Sequence, residues 1–217
     1  MKITKLATQE RNVDRVNMFL DGKFSCGVSL NTVAKFNLFV GKELSEDEFN
    51  KILQDDLKER IFNRAVTYIS RAIKSEKQIR MYLNNLLFKK KGVWFEDLSK
   101  ASSSEIVSVV IEKLKSYSYI NDEEFAEQFV LSRIKSKPRG KYILVSELIS
   151  KGISKDLAQQ KVNELVEDEF DILKRVFEKK YGECKLSKED RKKIDFLHRK
   201  GFDWDLIERL INNESEE

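Results

Sequence analysis

The side chains of this sequence whose type and spacing could do chemistry are cations. Arg133, Lys135, Lys137, Arg139 and Lys141 place five positive charges in nine residues with no acid among them, around Pro138 and Gly140. Lys89, Lys90 and Lys91 form a second cluster, Arg191, Lys192 and Lys193 with Arg199 and Lys200 a third, and Lys151 stands beside a glycine. Groups of Lys and Arg bind phosphate backbones through Coulomb attraction and release of condensed counterions. If six to ten of these cations met phosphates, binding would weaken about a thousandfold or more between 50 and 200 mM salt. A solvated helix C-terminus also attracts cations, so a single cluster supports either reading equally, and recurrence at similar places favours a shared basic ridge.

Other chemistries find no residues to carry them. There is no P-loop, no G-x-G-x-x-G and no metal-ligand spacing, and Ser102-Ser103-Ser104 has neither a histidine nor a glycine elbow beside it. Two cysteines 158 positions apart, Cys26 and Cys184, with the single His198, supply neither a disulfide framework nor a closed zinc site. Cys26 reads as a small apolar residue of a hairpin, Cys184 as a loop thiol, and His198 as a partly exposed helix residue. Asp55-Asp56 and Glu123-Glu124 suit helix N-termini and solvated faces. A non-enzymatic protein without metal or cofactor is expected. The 41 basic and 37 acidic residues leave only +4, so attraction to nucleic acid must come from local clustering. No apolar run approaches the roughly 18 residues of a spanning helix, and Met1-Lys2-Ile3-Thr4 opens no signal-peptide pattern. No membrane partner and a cytoplasmic location are expected.

The elements that must position these cations are mainly helical. The 217 residues hold 8 glycines and 1 proline, where average usage would give roughly 15 and 11. Residues 1–44 differ from the rest. Val16, Met18 and Leu20 alternate with polar neighbours, Asp21-Gly22 follows, and Phe24, Cys26 and Val28 alternate again, which predicts a β-hairpin in a small β-rich module. Ile3, Leu6 and a later stretch near Phe39-Val40-Gly41 are candidates for edge strands, and a short helix over Leu30 to Phe36 fits equally well. From Ser45, a capping box with Glu48, apolar residues recur at three- and four-residue steps and predict one long helix over 45–74. Ser75 with Gln78, Ser102 with Glu105, Asn121 with Glu124, and Asp203 mark later starts, about nine helices in all.

The chain also matches itself. Residues 65–75 lie over residues 126–136, an offset of 61, and Lys91-Gly92-Val93, Lys151-Gly152-Ile153 and Lys200-Gly201-Phe202 recur at offsets of 60 and 49. The unit is helix, helix, glycine turn, helix. One such unit buries too little alone, so three tandem three-helix repeats are expected to stack into an elongated, curved body: repeat 1 over 45–120 with its long lead helix and an insertion around Trp94, repeat 2 over 121–168 and repeat 3 over 169–217. Tyr68, Tyr82, Phe125 and Phe129 fall on core-facing positions. Tyr117, Tyr119 and Tyr142 read as exposed.

The run Ile120-Asn121-Asp122-Glu123-Glu124-Phe125-Ala126, continuing through Phe129, Arg133, Glu147-Leu148 and Lys151-Gly152-Ile153, closely resembles the central motif of the RecX regulatory family. Arg15-Val16-Asn17 and Leu20-Asp21-Gly22-Lys23-Phe24 resemble the N-terminal segment of Gram-positive members. The resemblance covers most of the chain. It implies a non-enzymatic modulator that binds RecA recombinase filaments on single-stranded DNA, lodges in the filament groove and restrains filament growth, ATP hydrolysis and strand exchange, thereby tuning recombinational repair and the SOS response. It also implies the tandem three-helix fold. The DNA- or filament-binding residues expected are Arg133, Lys135, Lys137, Arg139, Lys141, Lys151, Lys89, Lys90, Lys91, Arg191 and Lys192, acting in a monomer with weak, sequence-independent affinity for single-stranded DNA. Before Tyr119 the family usually has glycine where this chain has Ser118, a substitution that costs about 1 kcal/mol in a left-handed turn.

Two other functions compete. The glycine turns at Gly152 and Gly201 also fit a helix-turn-helix transcriptional regulator, although the would-be recognition helix from Lys155 mixes Lys155 and Lys161 with Asp156, Glu164 and Glu167, which suits a major groove poorly. A protein-interaction scaffold whose charge serves solubility is the third.

Overall fold

A computed structural model describes residues 1–10, 12–95 and 99–213. Among them the order is β1 (Ile3–Gln9), β2 (Asn12–Leu20), β3 (Lys23–Ser29), α1 (Leu30–Lys35), α2 (Glu46–Ile69), α3 (Glu76–Lys90), α4 (Lys100–Ser116), α5 (Asp122–Ser136), α6 (Lys141–Ser150), α7 (Lys155–Leu165), α8 (Glu169–Tyr181), α9 (Arg191–Arg199) and α10 (Trp204–Asn213). The protein is mainly α, with one antiparallel sheet in the order β1-β2-β3. It forms two compact units, residues 1–71 with 82–116, and residues 72–81 with 117–217, so α3 contributes to both.

In the first unit the hairpin closes at Asp21-Gly22, with Leu20 opposite Lys23 and both turn residues at positive φ, 49° and 83°, the pairing a two-residue turn of primed type demands. Alternation sends Val16, Met18 and Val28 into a core with Ile3, Leu38, Leu44 and Ile52. The predicted short helix forms as α1, and Lys2 pairs with Glu43 beyond it. The outer edge of β3 is covered by α2. Arg15 and Arg60 both donate to the Gly27 carbonyl, at 2.5 and 2.6 Å, and both reach the buried Asp56 carboxylate, at 2.8 and 2.7 Å, which also accepts the Ser29 N–H. The Gly27 carbonyl and the Ser29 N–H of that edge are therefore satisfied by side chains rather than by another strand. The long helix begins at the expected Ser45–Glu48 capping box but ends at Ile69, five residues short of the expected 74. Helix α4 starts at Lys100 rather than near Ser102, because Ser99 caps it by accepting the Ser102 N–H at 3.0 Å. Ten helices form among the described residues. Residues 96–98 of the polar stretch expected after Trp94, and 214–217 of the expected third repeat, lie outside them.

The second unit holds two helical repeats, α5-α6-α7 and α8-α9-α10, whose first and third helices pack together. Phe125, Ala126, Val130, Leu144, Leu148, Ala158 and Val162 join Phe170, Leu173, Phe177, Leu197, Phe202 and Ile207 in one continuous core. Phe129 packs against that core from its edge, partly buried rather than inside it. The glycine turns behave as expected. Gly152 at φ 98° donates to Ile149 O while Ile153 N–H reaches Leu148 O, and Gly201 at φ 92° with Phe202 repeats both bonds onto His198 and Leu197. Each is a Schellman end that only glycine enters freely, with its flanking apolar pair buried. Ser118 takes φ 57°, so the left-handed turn before Tyr119 is kept without its usual glycine.

One joint occurs twice in this unit. The start of a middle helix is pinned on the Lys-Gly turn of the next repeat: the Ser75 hydroxyl donates to Lys151 O at 2.6 Å, and Gly140 N–H donates to Lys200 O at 2.9 Å. The next N–H along then finds the first acid of the following repeat, Glu76 N–H to Asp122 and Lys141 N–H to Glu169, at 2.8 and 2.7 Å. Helix N-termini leave such donors unsatisfied, and a carboxylate from the neighbour meets both the donor and the dipole.

Candidate nucleic-acid interface

The cations of the 133–141 stretch lie in different surroundings. Arg133 donates to Glu147 at 2.7 Å and lies 4.8 Å from the Phe129 ring centre, so its charge is compensated inside the repeat. Lys141 begins α6 beside the Glu169 carboxylate, whose proton affinity is raised by burial against the lowering pull of the Lys141 N–H and ammonium. Lys135 and Lys137 are exposed at the end of α5. Arg139 is the member carried elsewhere, because Gly140 anchors it to the Lys200 turn of the next repeat.

At that joint a cluster assembles which sequence spacing did not reveal. The Lys180 ammonium lies 3.7 Å from the centre of the Phe196 ring and the Lys200 ammonium 5.3 Å from the same ring, with Tyr181 edge-on to Phe196 at 5.6 Å. Burial, then the charges of Arg139, Lys180 and Lys179, push the Lys200 ammonium below the ordinary lysine value. No carboxylate is among the charges acting on it, and no ion pair ties Arg139, Lys179, Lys180 or Lys200 among the described residues. Lys193, nearby over Tyr181 at 6.0 Å, is instead held by Asp190 at 3.0 Å. Lys179 and Lys180 end α8 as Arg133 and Lys135 end α5, so comparing last turns across the repeats is the signal that would have found them.

Arg191 and Lys192 are exposed in the first turn of α9, a turn with no acid. Cations at a helix N-terminus oppose the dipole by about 0.3 to 1 kcal/mol each, so helix stability does not explain them. Lys151 is partly buried, with its carbonyl in the joint. In the first unit Lys89 is exposed, and Lys90 lies 5.6 Å from the Trp94 ring, with Arg60 at 5.8 Å. Trp94 borders an open groove of about 1610 Å³ between β3 and α2, which also takes in Phe24, Leu53 and Arg64. In α7, Lys161 is tied to both Glu123 and Glu164, at 2.7 and 3.1 Å, so its charge is compensated by two carboxylates. Tyr117, Tyr119 and Tyr142 are exposed, at 58, 47 and 80 %, as expected.

Comparison with known proteins fits this geometry. The model described as the Regulatory protein RecX N-terminal domain matches residues 1–45, and the models of the second and third RecX three-helix domains match 121–161 and 167–211. The Regulatory protein RecX of Clostridioides difficile (strain 630) is 35% identical over 216 residues, covering 97% of this chain and 94% of that protein. The chain belongs to the RecX family. The Regulatory protein RecX of Bacillus velezensis is 34% identical, covering 96% of this chain and 76% of that protein. A crystal structure of regulatory protein RecX shares the fold with a TM-score of 0.73 at 24% identity, covering 98% of both chains. A RecX crystal structure from Lactobacillus salivarius has a TM-score of 0.57 at 22% identity, covering 72% of this chain and 95% of that one. No helix of the described residues is long and apolar enough to cross a membrane.

Proposed function

We propose that this RecX family protein is a non-enzymatic regulator of the RecA recombinase. It binds RecA filaments on single-stranded DNA and restrains filament growth, ATP hydrolysis and strand exchange, and so tunes recombinational repair and the SOS response. The observation that carries the reading is identity to proteins named Regulatory protein RecX along nearly the whole chain, head and repeats alike. The cluster of Arg139, Lys179, Lys180 and Lys200, with Arg191 and Lys192 on α9, supports a weak phosphate-backbone contact without base readout. The protein acts as a monomer, with a β-rich head over 1–44 and helical repeats over 45–120, 121–168 and 169–217.

The test is RecA-catalysed ATP hydrolysis on single-stranded DNA while the full chain is titrated in. Hydrolysis should slow at ratios well below one chain per recombinase. An unchanged rate at equimolar chain would overturn the proposal.

A further inference from the structure

The joint between the two repeats of the second unit offers more than a single strand phosphate needs. Two ammoniums, Lys180 and Lys200, are held on one Phe196 ring, so their side chains cannot swing apart without leaving it. Arg139 is fixed to the same turn through the Gly140 to Lys200 backbone bond, and Lys179 adds a fourth charge from the last turn of α8. The charges that act on Lys200 are all positive, burial raises the cost of that crowding, and the carboxylate at this joint, Glu169, is taken up by the Lys141 N–H. A strand presents one charge per nucleotide and meets such a cluster one phosphate at a time. Linked phosphates bring several charges and many acceptor oxygens over a few atoms, which matches a preformed, concentrated positive site better.

We infer that Arg139, Lys179, Lys180 and Lys200 form a seat for a compact polyphosphate anion of the triphosphate class, in competition with a DNA strand at the same place. The inference rests on the proposed DNA contact only for the competition. Binding of the anion itself needs neither DNA nor RecA. The seat is open to free polyphosphate and to the triphosphate of a nucleotide, because Lys180 covers the aromatic face and leaves the phosphates as the recognised part.

The test is calorimetric titration of the full chain, at constant low ionic strength with a chelator present, using tripolyphosphate, ATP and AMP as probes. Tripolyphosphate should bind at least tenfold more tightly than AMP, and Lys180→Gln and Lys200→Gln should each weaken it by roughly tenfold, the order of one charge-assisted contact. Lys135→Gln with Lys137→Gln should leave it unchanged. ATP equal to tripolyphosphate marks the phosphate chain as the ligand, and ATP clearly tighter marks a nucleotide; both sustain the seat. Tripolyphosphate no better than AMP, or equal losses in the Lys135 and Lys137 control, would overturn it. A single-stranded oligonucleotide separates the two readings. If it still binds the Lys180→Gln, Lys200→Gln chain while tripolyphosphate does not, the seat stands and the DNA contact lies elsewhere. If it needs both lysines while tripolyphosphate never binds the wild type, the seat is refuted and the DNA contact stands.

Discussion

Gly140→Ala tests the joint that carries Arg139 to the cation cluster. Gly140 sits at φ −65°, ψ 156°, a conformation alanine adopts freely, so backbone strain plays no part. A Cβ there would lie 2.2 Å from Gly201 O, 2.4 Å from Gly201 C and 2.9 Å from Phe202 N, and all three are backbone atoms of a turn fixed by its own hydrogen bonds. The turn must shift. Overpacking of this kind costs about 1 to 3 kcal/mol, and loss of the Gly140 to Lys200 bond adds roughly 0.5 to 1.5 kcal/mol. The expected loss is about 2 to 4 kcal/mol, read as a fall in the urea midpoint by on the order of 1 M with the slope unchanged. Ser75→Ala removes the equivalent bond of the other joint without adding an atom, and should cost only about 1 to 2 kcal/mol including its helix cap. Gly140→Ala within about 0.5 kcal/mol of wild type would show that the turn is not held there, and the assembly of the cluster would lose its explanation.

Other perturbations have equally direct outcomes. Phe129→Ala should cost about 1.5 to 3 kcal/mol in urea unfolding, below the 3 to 5 of a fully enclosed phenylalanine, because its ring is only partly buried; a loss above that range would place it inside the core. Asp56→Ala strands Arg15 and Arg60 against the Gly27 carbonyl and should destabilise the first unit by about 3 kcal/mol or more, while a near-wild-type melt would mean that water replaces the carboxylate. Burial pushes the Cys26 thiol up to about 11, so the thiolate is scarce near neutrality. Cys26 should react with a thiol reagent far more slowly than in the unfolded chain at pH 8, accelerating as pH rises toward 11, and native reaction at the unfolded rate would refute its burial. Lys200→Met relieves like-charge crowding and should leave the melt unchanged or slightly higher, yet weaken single-stranded DNA binding; undiminished binding would remove Lys200 from the contact. If four phosphates are contacted, affinity for single-stranded DNA should fall roughly fiftyfold between 50 and 200 mM salt.

Where one stretch of chain specifies an element, the sequence was readable. Asp21-Gly22 fixed the hairpin, Ser45 with Glu48 and Ser75 with Gln78 fixed helix starts, and Gly152 and Gly201 fixed the ends of α6 and α9. Serines compete with one another as caps, so the start of α4 passed from Ser102 to Ser99. The cation site depends on partners far apart in the chain. Arg133 looked available until Glu147, fourteen residues on, took its charge, and Arg139 meets Lys200 only because a glycine without a Cβ lets two backbones touch. Charge density along the chain marks the amount of basic surface. Which charges stay uncompensated is decided by packing.

The account is tested most directly by sedimenting preassembled RecA filaments on single-stranded DNA with the full chain present. The chain should pellet with the filaments, less completely when Arg139, Lys180 and Lys200 are all changed to Gln and the melt is unmoved. A wild-type chain that stays in the supernatant at micromolar filament would contradict the account.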